Sequence, residues 1–359
     1  SGIMFRTMDG AHSNFYEPRA SAYKKQTKYV NMNSTITDNE ITVTPGYKKT
    51  FVNTAYGIQL YGEIITAALS KKTRSSKGNN YLIPEGDFRV SGVTVTGNTV
   101  NLTCEGYGIW IQGAAENTVS SNDITCNIIN DATGGTGDGI RMQDSSVKNV
   151  IKSNKIENTT SKGSLDSGMF GINIIESSNS NTISKNTIIK PKKDGISIKS
   201  SSSNKLTSNT ITSVGRDAVH LVSASKTTVN ANTIKKPVRD GILAEKSASA
   251  KITKNKINKC RTAINLKSSK SAKLDSNKST SCSSDAVKLD SSNSATINKN
   301  TLKTQKRDGI NIVKSSKIVI TSNTITSSKR YGINSTKKQI KKDSKNKITK
   351  SGKRARSWK

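Results

Sequence analysis

The sequence repeats itself at an interval of about 23 residues. A Gly-Ile pair, or a small residue followed by an aliphatic one, recurs along the chain, and from Gly171 onward the intervals are 24, 23, 23, 22, 23, 23 and 23 residues. A second series of asparagines, from Asn186 to Asn346, stays in phase with intervals of 23, 23, 23, 22, 23, 23 and 23 residues. Two markers with one period predict an array of stacked units.

Apolar and polar residues alternate within each unit, as in GISI from Gly195 and AVHL from Ala218. This period of two indicates β-strands, and each unit holds about three short ones. Such strands cannot bury a face alone, so we expect each to pair with its counterpart in the next unit over a thin aliphatic core. The repeated asparagine fits a corner, because asparagine tolerates the left-handed conformation and bonds its own backbone. The pattern predicts an all-β parallel solenoid of about 12 rungs.

The composition suits a thin core and a polyanionic partner. Hydrophobic residues make up 31% of the chain and aromatic residues 4%. The formal net charge is +33, and so large an excess attracts acidic polymers. We expect an acidic polysaccharide or cell-wall polymer rather than nucleic acid, because no aromatic residues are interleaved with the basic ones. A solvated lysine-rich surface is the alternative. No segment reaches the roughly 20 apolar residues of a membrane span.

These repeats resemble the right-handed parallel β-helix proteins of the pectate-lyase-like superfamily, with their carbohydrate-binding and sugar-hydrolase type repeats. The resemblance covers most of residues 90–350. It implies a single-stranded right-handed parallel β-helix, a secreted or cell-surface location, and a substrate groove on the face of the Gly-Ile strands. The superfamily includes polysaccharide lyases, hydrolases, uronan epimerases, tail-spike domains and non-catalytic surface proteins, so its fold is more specific than its function.

Insertions divide the predicted solenoid of residues 1–350. They are concentrated in residues 1–170, whereas residues 171–350 form a regular array and residues 351–359 a basic tail. The opening SGIMFR has the pattern of a repeat interior, which predicts that the sequence is part of a longer chain. Two insertions, at 130–138 and 159–169, end directly before a Gly-Ile strand and are expected to flank its outer face.

Outward positions of the Gly-Ile strands supply the candidate glycan-binding residues. We expect Trp110 to stack on a sugar ring, or else to pack beneath an insertion loop. Arg141 is suited to bidentate pairing with a uronate or sulfate. The predicted substrate-binding residues are Trp110, Gln112, Gln143, Asn173 and Lys199.

Two reactions suit a cationic groove and an acidic sugar. β-Elimination and C5 epimerisation both remove the proton next to the uronate carboxyl group, and both need a cation and a base. Hydrolysis needs two carboxyl groups instead. The candidate catalytic residues are Asp138, Arg141, Asp217 and His220. Asp217 and His220 are similar to the Asp and His of uronan epimerases, but two residues separate them and the typical Asp-Pro-His is absent. A histidine at a freely variable outward position is the alternative.

An aspartate precedes the small-aliphatic pair in six units: Asp138, Asp194, Asp217, Asp240, Asp285 and Asp308. A lysine or arginine directly precedes four of them, so we expect a self-neutralised column of acids and bases at one corner. Asp138 lacks such a neighbour and ends an insertion. With Asp131 and Asp166 on the insertion loops it forms a candidate Ca²⁺ site.

The four cysteines fall into two pairs, Cys104 with Cys126 and Cys260 with Cys282, each 22 residues apart. Stacked cysteines are either disulfides, as in an oxidising extracellular compartment, or free thiols in the core. The leading hypothesis is a secreted or surface protein that acts on an acidic glycan as a polysaccharide lyase or uronan epimerase. The alternative is a non-catalytic adhesin or cell-surface stalk.

Overall fold

The protein is a parallel β-helix in which three sheets wind around one aliphatic core. The computed structural model describes residues 3–6, 30–44, 55–62, 64–65, 73–76, 79–82, 86–103, 106–127, 137–159 and 169–358. The chain passes through sheets A, B and C once per turn, and these hold 13, 12 and 12 strands. The predicted all-β solenoid of about 12 rungs is therefore confirmed.

Sheet A contains the Gly-Ile strands. Its members are Ile3–Arg6, Ala55–Tyr61, Gly106–Gln112, Gly137–Gln143, Ile172–Ile174, Ile196–Lys199, Val219–Val222, Ile242–Glu245, Ile264–Lys267, Val287–Asp290, Ile310–Val313, Tyr331–Asn334 and Arg354–Arg356.

Sheet B follows sheet A in each turn. Its members are Val30–Thr37, Val90–Thr96, Thr118–Ser120, Val150–Lys152, Thr182–Ser184, Lys205–Thr207, Thr228–Asn230, Lys251–Thr253, Lys273–Asp275, Thr296–Asn298, Ile318–Thr321 and Ile340–Ser344.

Sheet C completes the turn. Its members are Glu40–Val43, Thr99–Leu102, Asp123–Cys126, Lys155–Asn158, Thr187–Ile189, Thr210–Thr212, Thr233–Lys235, Lys256–Asn258, Lys278–Cys282, Thr301–Gln305, Thr324–Ser328 and Lys347–Thr349. The remaining elements are two antiparallel pairs and one 3₁₀ turn: Ile64–Ile65 with Gly86–Asp87, Thr73–Ser76 with Asn79–Leu82, and Lys337–Gln339.

The strand register places similar residues above one another in neighbouring rungs. Ile196 pairs with Val219, and Val219 with Ile242, and all three are fully buried. The small residue before each of them lies where two segments of the chain approach closely. A Cβ atom on Gly195 would lie 2.5 Å from Ile211 Cγ2, which explains the glycine in this rung.

The recurring asparagine holds the corner between sheets B and C, but not by the predicted conformation. The left-handed backbone lies one residue earlier, at Ser208 (φ 58°) and Ala231 (φ 54°). Each asparagine instead donates Nδ2 to Oδ1 of its counterpart one rung on, 2.9 Å for Asn209 to Asn232 and 3.0 Å for Asn232 to Asn255. The expectation of a left-handed asparagine is wrong, because the buried amide is needed to satisfy polar groups between the rungs.

The cysteines that the structure describes are buried thiols. Cys126 lies in the core, where burial raises the pKa of its thiol to about 12. Its predicted partner Cys104 lies outside the described residues. The Sγ atoms of Cys260 and Cys282 are 3.2 Å apart, in the stacked arrangement expected of neighbouring rungs.

Candidate functional site

The site is built on the column of aspartates at the start of the sheet A strands. All six are at most 1% exposed. A buried carboxylate is stable only if its oxygens are bonded, and the next rung supplies those bonds. In five of the six, Oδ1 accepts the backbone N–H of the counterpart one rung on, as Asp194 does from Asp217 (3.0 Å).

The neutralising arginines also come from the next rung. Arg216 Nε lies 3.7 Å from Asp194, and Arg261 Nε lies 3.0 Å from Asp240. Arg307 and Arg330 pair in the same way with Asp285 and Asp308. The expected self-neutralised column is present, but the expected pairing of each aspartate with the base directly before it is wrong. Adjacent side chains leave the extended backbone in opposite directions, so each arginine contacts the preceding rung instead.

In three of the six, the second carboxylate oxygen accepts a hydrogen bond from an asparagine on the next sheet A strand. Asn265 Nδ2 donates to Asp240 Oδ2 at 2.8 Å, and Asn311 Nδ2 to Asp285 Oδ2 at 2.9 Å. Together with its arginine, this asparagine leaves Asp240 and Asp285 fully bonded, whereas Asp308 pairs with Arg330 but keeps an Oδ2 without a hydrogen-bond partner.

Asp217 departs from this arrangement. The position that should supply its donor is Leu243, and no arginine pairs with it among the residues that the structure describes. Its Oδ2 is buried without a hydrogen-bond partner. Burial raises the pKa of this carboxyl group to about 6, and the charges of Asp194 and Asp240 act in the same direction.

The sheet A strand that follows Asp217 carries His220 at the outward position that is asparagine in other rungs. Its Nδ1 is 3.1 Å from Asp194 Oδ2 and its Nε2 is 3.0 Å from Glu245 Oε2. Lys267 Nζ donates to the other oxygen of Glu245 at 2.9 Å. Four rungs therefore contribute to one chain of charged groups, and 13% of the His220 side chain is exposed.

The two groups facing solvent have opposite tendencies to hold a proton. Burial acts to lower the pKa of His220, but its bonds to Asp194 and Glu245 outweigh burial and raise the pKa above its ordinary value. Burial acts to raise the pKa of Glu245, but Lys267 and His220 outweigh it and lower the pKa. Both shifts favour a protonated His220 that donates to an ionised Glu245.

Asp194, Asp217 and His220 also form a group of possible metal ligands, with one ligand atom from each within 4.8 Å of the others. Two carboxylates and an imidazole suit a transition metal better than Ca²⁺, which prefers oxygen ligands alone. The predicted Ca²⁺ site is elsewhere. Asp131 and Asp166 lie outside the described residues, so that site stays a prediction.

Asp138 holds Arg141 in place on the outer face of sheet A. Its Oδ2 accepts from Arg141 Nη1 (3.2 Å) and Asn173 Nδ2 (3.0 Å), and its Oδ1 from Phe170 N (3.2 Å). Burial raises the pKa of Asp138, and Arg141 opposes that shift. With 0% exposure, Asp138 is placed to orient Arg141, and Asn173 is occupied by the same carboxylate.

Arg141 is attached to an aromatic cluster formed by Tyr56, Tyr107 and Trp110. Its guanidinium carbon lies 4.9 Å from the centre of the Tyr107 ring, and its Nε donates to Gln143 Oε1 at 2.6 Å. The half-buried Trp110 ring lies 5.7 Å from Tyr56 and 5.4 Å from Tyr107. The Trp110 Nε1 donor is buried without a partner.

The polar rim of this cluster is tied together by one carboxylate. Asp144 Oδ2 accepts from Gln112 Nε2 at 2.6 Å and from Gln143 Nε2 at 3.2 Å. Both glutamines are half-buried on the face where we expected them to contact a glycan.

The aromatic cluster and the histidine cluster share one face. The register from Arg141 through Asn173 and Ser197 to His220 separates them by three rungs, roughly 14 Å. The exposed Lys199 lies two rungs before Glu245 in its column, and Lys267 one rung after. Asp194, Glu245 and Lys267 were not predicted as site residues. The outward polar position of Glu245, beside the rung of His220, was the available signal.

A family comparison identifies this architecture. The family model of the right-handed β-helix region matches residues 29–238 and 194–349. The chain belongs to the right-handed β-helix family. Comparison with curated protein sequences gives no match. Among the residues that the structure describes, no helix has the length and hydropathy of a membrane span.

Solved structures show the same fold at low identity. The chain is similar to the Dettilon tailspike protein (gp208), with 14% identity and a TM-score of 0.58 over 91% of this chain and 62% of the tailspike. It is similar to the A-module of the Azotobacter vinelandii mannuronan C-5 epimerase AlgE6, with 11% identity and a TM-score of 0.56 over 93% and 91% of the two chains. A third is the catalytic domain of a GH87 alpha-1,3-glucanase, with 12% identity and a TM-score of 0.51 over 85% and 61%. This β-helix thus spans less than two thirds of the tailspike and glucanase chains.

Proposed function

We propose that this β-helix protein acts on an acidic, uronate-containing glycan on the outer face of sheet A, as a polysaccharide lyase or uronan epimerase of the cell surface or extracellular space. The observation that carries the proposal is His220, held between Asp194 and Glu245 beside Asp217, whose Oδ2 has no hydrogen-bond partner. A corner that serves only structure does not need this departure from the repeat, since asparagine satisfies it elsewhere.

Residues at both ends of the outer face of sheet A are assigned to glycan binding. Trp110 offers an aromatic surface for a sugar ring, and Arg141 is oriented beside it by Asp138. Lys199 and Lys267 flank Glu245 in its column and would neutralise uronate carboxylates. The strongly positive chain favours such a polymer over a neutral one.

Proton transfer is assigned to Glu245 and His220. Glu245 takes the proton from C5 of the uronate. When the substrate carboxylate pairs with Lys267, Glu245 loses a bond that lowers its pKa and becomes a stronger base. In β-elimination, His220 gives its proton to the leaving oxygen as the bond from C4 to that oxygen breaks and the C4–C5 double bond forms. In epimerisation, Glu245 keeps the proton that it removes, the bond to the C4 oxygen stays intact, and C5 takes a proton from water on the opposite face.

The test is an assay against pectate, alginate and glycosaminoglycans. Elimination appears as ultraviolet absorbance of the unsaturated product, and epimerisation as a changed uronate composition by NMR. We expect one of the two with at least one polymer. No change in either, with binding retained in a pull-down, would overturn the enzymatic proposal.

A non-catalytic glycan-binding stalk is the second candidate. It is favoured by the internal hydrogen bonds that occupy both nitrogens of His220. If the protein is such a stalk, glycan binding depends on Trp110 and Arg141 and does not change when His220 is replaced. A His220 variant therefore distinguishes the stalk from the enzyme.

A further inference from the structure

A groove runs along the bend between sheets C and A in the last six rungs, away from the outer face of sheet A. It encloses about 790 Å³ and extends from Pro237 to Gly352. One residue per rung turns the chain in the left-handed conformation, including Lys259 (φ 54°), Thr304 (φ 60°) and Lys350 (φ 53°). Six rungs span roughly 24 Å, enough for several units of an extended polymer.

The floor of the groove is formed by the buried residue that follows each turn. It is apolar at one end, with Cys260 and Cys282, and polar at the other, with Gln305 and Ser328. Val238 lines the apolar end and is 71% exposed, the one large hydrophobic side chain so exposed among the described residues. Such a floor suits a ligand that has both apolar and hydroxylated surfaces.

The rim of the groove is basic. Its exposed lysines are Lys259, Lys306, Lys329 and Lys350. None of the four has an acidic partner among the residues that the structure describes, whereas Arg261 beside them is paired with Asp240. These four charges, along one line with hydroxyl groups between them, are available to an anionic ligand.

One buried donor in the groove has no partner. Gln305 is 1% exposed, and its Oε1 accepts from Ser328 Oγ at 3.1 Å. Its Nε2 makes no hydrogen bond, although the residue lines the groove. Buried amide donors are nearly always paired, so this atom points to a ligand oxygen as the missing acceptor.

We propose that this groove is a second binding site, for one strand of an acidic polysaccharide. Carboxylates would pair with the lysine rim, hydroxyl groups would bond the serine and threonine side chains, and an oxygen would accept from Gln305. The apolar faces of the sugar rings would contact Val238 and the cysteine side chains. Nucleic acid fits less well, because no aromatic residue lines the groove to stack on its bases.

This site goes beyond the proposed function, because binding there requires no chemistry. The groove begins on the rung directly after that of His220. It would keep a polymer attached while the face of sheet A acts on another part of it.

The test measures binding of oligogalacturonate to the full chain by calorimetry. The double variant Lys306→Gln with Lys329→Gln should weaken binding about tenfold, because both charges face one ligand strand. The matched control, Lys251→Gln with Lys273→Gln, removes two exposed charges from sheet B and should change binding less than about twofold. Gln305→Leu should weaken binding about threefold through loss of the donor.

Equal weakening by the groove and control variants would show attraction by net charge alone and overturn the site. Polyglutamate or single-stranded DNA binding in the groove as tightly as oligogalacturonate would overturn the assignment to a glycan. His220→Asn should leave groove binding unchanged. A protein that binds in the groove but turns over no polymer would contradict the proposed function and leave the second site standing.

Discussion

The rungs that begin at Asp217 and Asp240 have nearly the same sequence, RDAV and RDGI, and different surroundings. Asp240 is bonded by Arg261 and Asn265 from the next rung. Asp217 faces Leu243 there and keeps an unbonded oxygen. The same motif is therefore a fully bonded corner in one rung and a buried carboxyl group with an unbonded oxygen in the other.

The difference shows that the role of a repeated residue is decided by the following rung. A buried carboxylate needs both charge and hydrogen-bond partners, and in a solenoid these come from the neighbouring turn. Where the following rung offers leucine, burial raises the pKa of the carboxyl group, which lies beside His220. We propose that the part of the column where Asp217 lacks both an arginine and an asparagine partner is the functional part.

The largest effect is expected when His220 is replaced by the asparagine that other rungs have at this position. His220→Asn keeps a donor for Asp194, as Asn265 donates to Asp240, but removes the imidazolium. We expect turnover of the uronan substrate to fall by at least about 100-fold, the scale of a lost general acid, with thermal stability nearly unchanged. Asn311→Ala, in the same column on a structural rung, is the control and should keep turnover within about twofold. Equal losses in both variants would contradict the assignment.

Removing the two aspartates should affect stability unequally. Asp240→Ala breaks three side-chain bonds and should lower the free energy of unfolding by about 3 kcal/mol. Asp217→Ala loses one bond, from Asp240 N, and relieves a poorly solvated charge, so about 1 kcal/mol is expected. Urea denaturation of both variants measures the difference. Equal losses would mean that Asp217 is as well bonded as Asp240.

Asp217 should also make stability depend on pH. Its pKa is raised from an ordinary 3.8 to about 6, so the folded state holds this proton more tightly than the unfolded state. Its contribution is therefore greatest at low pH and is lost as pH rises from about 4 to 6, by roughly 2 to 3 kcal/mol. The measurement is the difference in unfolding free energy between the wild type and Asp217→Asn across this range. A difference that does not vary with pH would argue against the raised pKa.

The smallest effect is expected when Asp217 is given the asparagine donor that it lacks. Leu243→Asn should supply the missing donor to Asp217 Oδ2, as Asn265 does for Asp240. The new bond and the lost apolar burial nearly offset each other, so stability at neutral pH should change by about 1 kcal/mol or less. The informative result is a weaker pH dependence of the melting temperature than in the wild type. An unchanged pH dependence would show that Leu243 is not the reason that Asp217 lacks a partner.

The fold could be predicted from the sequence because one period governs both markers, and stacking like on like is the way such strands bury their aliphatic residues. The chemistry was only partly predictable. Asp217 and His220 were predicted from their likeness to the Asp and His of uronan epimerases and from the outward position of His220. Asp194 and Glu245 lie on the rungs before and after, and only the register reveals their contacts with His220.

The interpretation of the ion pairs failed because partners in a solenoid lie one rung away. The arginine that pairs with Asp194 lies 22 residues along the chain, whereas reasoning from adjacent residues assigned the base directly before the aspartate. The corner asparagines do bond their own backbone, as Asn232 does at Asn230 O, but adjacent residues do not reveal the further bond to the next rung. A comparison of whole columns would have shown Leu243 as the apolar member among polar ones.

The most direct test of whether Asp217 lacks a partner is the pKa of its carboxyl group. It is measured by a carboxyl carbon NMR titration of the full chain and assigned with Asp217→Asn. The lack of a partner predicts a midpoint near 6. A midpoint near the ordinary value of 3.8 would show that Asp217 has a partner, and that the column of aspartates continues unbroken past His220.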